Sequence, residues 1–119
     1  MTTGARAVQT GIRQSARKVR LVVDTIRGKD VNEAYAVLRF SKRKASRQIE
    51  KVLRSAVSNA EQAAQRDSET FDVDNLYVSH AIANEGATLW RWRPAAFGRA
   101  VPIRKRMSTV EIAVAQKEE

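Results

Sequence analysis

The sequence contains no cysteine, a single histidine, two prolines and five glycines. The missing cysteine excludes a disulfide framework and thiolate metal sites, and it fits a reducing cytoplasm. With His80 alone there is no histidine cluster to hold a metal, and no carboxylate cluster of metal spacing or glycine-rich phosphate loop appears. Asp72 and Asp74 stand two apart at an expected strand start, where both suit a turn better than catalysis. No enzyme activity, metal or cofactor is therefore expected. No apolar run approaches the roughly 20 residues that a spanning helix needs. The segment from Met1 to Arg6 has no apolar block behind a basic one, so no secretory signal is expected.

Acid is scarce as well. There are 13 Asp and Glu against 22 Lys and Arg, a net charge of +9 on 119 residues, the length of one small domain. Such an excess implies a polyanionic partner, because phosphates neutralised by cations release condensed counterions. The charge is also segregated. Residues 1–29 carry seven basic and one acidic side chain, 68–84 carry three acidic and no basic, and 85–106 carry six basic and one acidic. Charge placed only for solubility has little reason to separate in this way.

Hydrophobic spacing outlines the elements. Val8, Thr10 and Ile12 alternate with Gln9, Gly11 and Arg13, a half-buried strand pattern. Ser15 is placed to cap a helix whose apolar face is Val19, Val22, Val23 and Ile26, with Arg17, Arg20 and Arg27 on the other side and Gly28 as its stop. Leu21 falls off that face. A second helix opens at Asp30, with Glu33 positioned for a capping box, and gathers Val31, Ala34, Val37 and Leu38 before ending near Phe40. Ser41 is placed to cap a third helix, expected from Lys42 to Arg66. Its apolar side holds Ile49, Val52, Leu53, Ala56, Ala60 and Ala63, and Lys44, Arg47, Lys51 and Arg54 form a stripe opposite. The alanine-rich apolar side suits a protein core better than a membrane surface. From Phe71 the period becomes two. Leu76, Val78, His80 and Ile82 alternate with Tyr77, Ser79, Ala81 and Ala83, and Val110, Ile112 and Val114 form a matching strand after Met107. A polar tail follows over 116–119. The two later strands are expected to pair antiparallel.

Between them lies a segment of more than 20 residues, too long for an ordinary hairpin loop, and so expected to project. Both tryptophans, Trp90 and Trp92, are interleaved there with Arg91 and Arg93. Indoles stack on unpaired bases, and guanidinium groups grip phosphates. Gly86, Pro94, Gly98 and Pro102 are expected to bend the chain. A small private core under Trp90, Trp92 and Phe97 would leave Arg91 and Arg93 badly placed. An extended cationic arm needs a polyanion to order it, and is expected to be mobile when free. Basic, aromatic arms also occur in architectural DNA-binding proteins, commonly symmetric dimers.

Four stretches then carry a resemblance. They are Arg17 to Asp24 with Ile26 to Lys29; Lys51, Val52 and Leu53 with Ser55 and Ala56; Asn59 to Glu61; and Asp74 to Ser79, continuing through Asn84 to Gly86, Arg91, Arg93, Pro94, Gly98 to Ala100 and Ile103 to Arg106. Together they resemble the bacterial large-subunit ribosomal protein L-twenty-two family over nearly the whole chain. The resemblance implies an α+β fold, with three helices on a small three-stranded antiparallel sheet and a long projecting β-hairpin. It implies one RNA-binding domain over 1–119, with 85–106 as the extended hairpin loop. The implied partners are large-subunit ribosomal RNA, neighbouring large-subunit proteins and the nascent peptide of the exit tunnel near the macrolide site. No membrane and no homo-oligomer is implied, and the location is the cytoplasmic ribosome. The RNA-binding residues expected on this basis are Arg13, Arg17, Lys18, Arg20, Lys44, Arg47, Lys51, Arg54, Arg91, Arg93, Arg99, Arg104, Lys105 and Arg106. The tip residues are Trp90, Trp92, Pro94, Phe97, Gly98 and Val101. Ala87, Trp90, Ala95 and Pro102 depart from the family pattern, which makes this tip less charged and more aromatic.

Overall fold

Helical spacing of valine and isoleucine builds the first helix, α1 (Ala16–Ile26), in the computed structural model, which describes residues 4–117. Val19, Val22, Val23 and Ile26 are all buried, as their spacing requires. Ser15 does precede the helix, but its hydroxyl makes no capping bond. Its carbonyl instead accepts from the backbone N–H of Lys18 and Val19, each at 3.1 Å. Gly28 takes φ +80°, open to glycine without strain, and turns the chain back. The N–H of Gly28 then donates to the Val78 carbonyl (3.0 Å), and that of Val78 donates to the Lys29 carbonyl (2.8 Å).

The second helix, α2 (Val31–Phe40), begins after Asp30 as expected, without the capping box. The Asp30 carboxylate pairs instead with Lys117 at 2.6 Å, and Glu33 lies 4.0 Å from Lys29. The third helix, α3, spans Ser46–Arg66 and starts later than the expected Lys42. Lys42, Arg43 and Lys44 are consecutive cations, and the positive end of a helix dipole disfavours them in a first turn. The Ser41 hydroxyl accepts from the Arg43 N–H (3.3 Å) within the intervening turn rather than capping the helix. Ile49, Val52, Leu53, Ala56 and Ala60 are buried as expected, but Ala64 rather than Ala63 completes the face. Four residues after Ala60 is the nearer match to the 3.6-residue turn.

The sheet has the order β1-β3-β2, antiparallel throughout, from β1 (Gly4–Ile12), β2 (Leu76–Pro94) and β3 (Ala100–Gln116). The helices cover one face of it. Val110, Ile112 and Val114 of the central strand lie at the bottom of the core, each at most 1% exposed. Burial of side chains of this size contributes roughly 1.5–3 kcal/mol each, so stability resides between helices and sheet.

Two alternation patterns read from the sequence change phase in the structure. In β1 the inward residue is Ala7, and Val8 is 51% exposed on the opposite face. A bulge between Gln9 and Ile12, with Gly11 at φ +72°, then brings Ile12 inward. In β2, Leu76 and Val78 point inward, but a bulge between Val78 and His80 reverses the phase. Ala81 and Ala83 become the buried pair, and His80 is exposed. The Ser79 hydroxyl donates to the Ala113 carbonyl at that irregularity (3.2 Å). A short 3-10 turn, Val73–Asn75, precedes β2, closed by the Asp74 N–H donating to the Asp72 carboxylate (3.0 Å). Both aspartates are turn residues.

Beyond Ser108, where β1 ends, β2 and β3 continue alone as a two-stranded arm. The greatest extent of the molecule is 67 Å, against 28 and 16 Å in the other directions. Residues 85–106 are therefore regular antiparallel ladder over most of their length. Pro102 does not bend this ladder but sits opposite Trp92. Each strand of the arm is an edge strand, where a missing N–H is tolerated. Of the polar tail, Gln116 belongs to β3, and residues 118 and 119 lie outside the described residues.

Candidate nucleic-acid interface

The arm leaves the domain through a third bulge, between Glu85 and Thr88. Gly86 suits this position, because a Cβ would stand 3.3 Å from the Met107 carbonyl oxygen, a tight approach that would push the neighbouring strand by a few tenths of an ångström. The extra residue decides which side chains share a face. Beyond it, Thr88, Trp90, Trp92 and Pro94 lie opposite Arg106, Arg104, Pro102 and Ala100, in phase with the helix-covered face of the sheet. Leu89, Arg91 and Arg93, opposite Lys105, Ile103 and Val101, lie on the other face. The arm thus has an aromatic face on the α1 side and, in its distal half, an arginine face on the opposite side.

The tip is a tight reversal at Ala96–Gly98. Phe97 (φ 61°) and Gly98 (φ 69°) both adopt left-handed backbone there. Phe97 is 98% exposed, Trp92 68% and Trp90 51%. Val101 and Pro94 are exposed as well. No private core forms beneath the aromatics. Among the described residues, one cation–π pair forms here, with the Arg104 guanidinium 5.0 Å from the centre of the Trp90 ring.

The cations named from the sequence fall into four places. Arg13, Lys18 and Lys44 line one groove with Arg104, Lys105 and Arg106 of the arm. Arg17 and Arg20 of α1 join Arg104 and Arg106 in an adjoining cleft. Arg91, Arg93 and Arg99 stand exposed along the distal arm, with an Arg91 amino group donating to the Trp90 carbonyl at 2.8 Å. The α3 stripe is divided rather than continuous. Arg47 lies in a depression with Arg39, Lys42 and Arg43. Arg54 pairs with Glu50 at 3.0 Å and borders a groove with Tyr35 and Phe40 of α2. Lys51 is exposed on α3.

Among the described residues, Arg54 is the only named cation that forms an ion pair. The others of the chain that do so are Arg6, Arg27, Lys29, Arg66 and Lys117. Cations without internal partners keep their charge available to an external one. Arg27 is a contrasting case. Its guanidinium donates twice to the Ala81 carbonyl (3.0 and 2.6 Å) and so ties α1 to the free edge of β2. Arg20 donates once to the Ala83 carbonyl through Nε (2.9 Å). Arg39, Lys42 and Arg43 were not singled out by helical periodicity. The basic run from Arg39 to Lys44 was the available signal for them. Leu21, which fitted no helical face, lines the same cleft as Arg17, Arg20 and Trp90.

The comparisons with known proteins agree with this geometry. The family described as "Ribosomal protein L22p/L17e" matches residues 7–115. The large ribosomal subunit protein uL22 of Lacticaseibacillus casei (strain BL23) is 52% identical over 116 residues, covering 98% of this chain and 95% of the relative. Proteins of the same name from Pediococcus pentosaceus and Oceanobacillus iheyensis are each 50% identical, over 98% and 97% of the chain. A family match that takes in all three strands, all three helices and the projecting arm leaves one assignment: the chain belongs to the bacterial ribosomal protein L22p/L17e family.

Proposed function

We propose that the chain is a structural, non-enzymatic constituent of the large ribosomal subunit in the bacterial cytoplasm, and that it works by binding ribosomal RNA. The supporting observation is the arm itself. It carries Arg91, Arg93, Arg99, Arg104, Lys105 and Arg106 with no internal ion pair among the described residues, on a ladder that buries no large side chain. An arm that draws so little support from its own domain is suited to taking its setting from a polyanion.

In this reading residues 1–119 act as one RNA-binding domain. Arg13, Arg17, Lys18, Arg20 and Lys44 of the body and Arg104 to Arg106 at the arm's base form the main phosphate grip. Arg47, Lys51 and Arg54 extend it along α3. The tip, with Trp92, Pro94, Phe97, Gly98 and Val101, reaches through RNA to the wall of the nascent-peptide exit tunnel near the macrolide site; Trp90, expected with these tip residues, stands nearer the body, in the cleft it lines with Arg17 and Arg20. Neighbouring large-subunit proteins and the nascent peptide complete the set of partners. The test is co-purification. The tagged chain should remain with the large subunit through a high-salt wash. Recovery solely in the free protein pool would end this reading.

A further inference from the structure

The cleft between α1 and the base of the arm has a composition that plain phosphate binding leaves unexplained. Its walls include Arg17, Arg20, Leu21, Trp90, Arg104 and Arg106, and it measures about 860 Å³. That lies within the roughly 300–1,000 Å³ of sites that hold small molecules. Lys18 and one acid, Glu85, also line it, and four of the six residues are cationic. The other two are large apolar groups left half in water, Leu21 at 52% and Trp90 at 51% exposed.

Each apolar group has a specific setting. Leu21 projects from α1 away from the buried valines, so the core does not require it. Trp90 is brought to the α1 side by the bulge between Glu85 and Thr88, and Arg104 stands over its ring. Arg104 thereby covers one face of the indole with positive charge and leaves the other for stacking. Arg20 is anchored through Nε to the Ala83 carbonyl, and its terminal amino groups make no ion pair among the described residues.

We infer that this cleft is a nucleotide site that takes one unpaired RNA base. The inference rests on the RNA-binding reading and locates within it a site for a base rather than for backbone alone. The base stacks on the indole of Trp90 with Leu21 against its edge. Arg17, Arg20 and Arg106 hold the flanking phosphates. Apolar surface beside guanidinium groups matches a nucleotide, which has a flat apolar face and an anionic link on either side. A fully paired duplex keeps its bases stacked inside and offers the cleft only phosphates.

Fluorescence separates these cases. In the full chain carrying Trp92→Phe, Trp90 is the remaining tryptophan. This protein is titrated with a short labelled oligoadenylate, and with the same strand made abasic at its central positions. Binding of both is followed independently by anisotropy. The inference expects strong quenching of Trp90 by oligoadenylate and little by the abasic strand. It also expects Trp90→Ala to weaken oligoadenylate binding about tenfold, as loss of one stacked base does. Abasic binding should stay within about twofold in that variant, and Trp90→Tyr should restore most of the loss. Leu21→Gln, on an exposed helix position, should act in the same direction as Trp90→Ala. If both strands bind but quench equally or not at all, the nucleotide site is refuted and RNA binding stands. If neither strand binds, the RNA-binding reading falls together with the site.

Discussion

Replacing Arg91, Arg93, Arg99 and Arg104 with alanine tests how much of the affinity for RNA comes from the arm. All four side chains are exposed, and none forms an ion pair among the described residues. Each is therefore free to neutralise one phosphate. A lost phosphate contact lowers the slope of log K against log salt by about 0.7 for single strands and about 0.9 for duplex. Four contacts amount to about three units. Between about 50 and 200 mM salt, a slope three units shallower spares the variant about a sixtyfold loss of affinity that the unaltered chain suffers. The assay is filter binding or anisotropy with a large-subunit RNA fragment across that salt range. A matched control replaces Arg6 and Arg66, which pair internally with Glu111 and Asp67. That variant should keep nearly the full slope, because its charges are already neutralised. An unchanged slope in the fourfold variant would remove these arginines from the interface, whatever happened to affinity at a single salt concentration.

Three further outcomes follow from the same geometry. Replacing residues 88–106 by a tight turn should change unfolding free energy by less than about 1 kcal/mol, since the segment holds no fully buried residue; a large fall in melting temperature would show that the arm supplies core. Inserting one alanine between Arg106 and Met107 should give the bulge's extra residue a partner and exchange the arm's faces, turning Trp90 and Trp92 away from α1 while Trp90 stays opposite Arg104; a tryptophan emission identical to that of the unaltered chain would refute this. Burial raises the Tyr35 hydroxyl above its ordinary value of 10.0, with opposing influences from Arg54 (downward) and Glu50 (upward). The unfolded chain therefore loses this proton first, so Tyr35's contribution to stability is complete below pH 10 and declines as pH rises through the folded value. In a spectrophotometric titration, Tyr35→Phe should remove a tyrosinate transition that lies above pH 10, and a titration curve unchanged by the substitution would refute this.

The helices were readable because each is a local pattern. Val19, Val22, Val23 and Ile26 needed only a partner face, and the chain supplied one. The strand phases were harder. Val8 and Ile82 are better apolar residues than Ala7 and Ala83, yet the alanines are buried and Val8 is exposed. The bulges between Gln9 and Ile12 and between Val78 and His80 depend on the partner strand, which alternation within one strand does not encode. The start of α3 departs from its periodic pattern because three cations at a positive dipole carry a cost that periodicity does not register. The arm was legible as a projection from its length and charge. That it has two unlike faces was not, because the sidedness comes from the bulge between Glu85 and Thr88, supported by the close approach of Gly86 to Met107. Leu21 has no place in the helical pattern of α1, because the residue that shares its cleft, Trp90, comes from the arm.

Because β1 stops opposite Ser108, the arm exposes hydrogen-bonding groups along both of its long sides. Such borders invite sideways pairing with another copy, and proteins oppose this with charge and proline. Here Arg91, Arg93, Lys105 and Pro102 occupy those borders. The same guanidinium groups that attract phosphate therefore repel a sister chain before a ribosome has taken it up. Concentrated electrolyte screens both effects together, so salt that weakens the proposed hold on RNA also removes the protection against self-association.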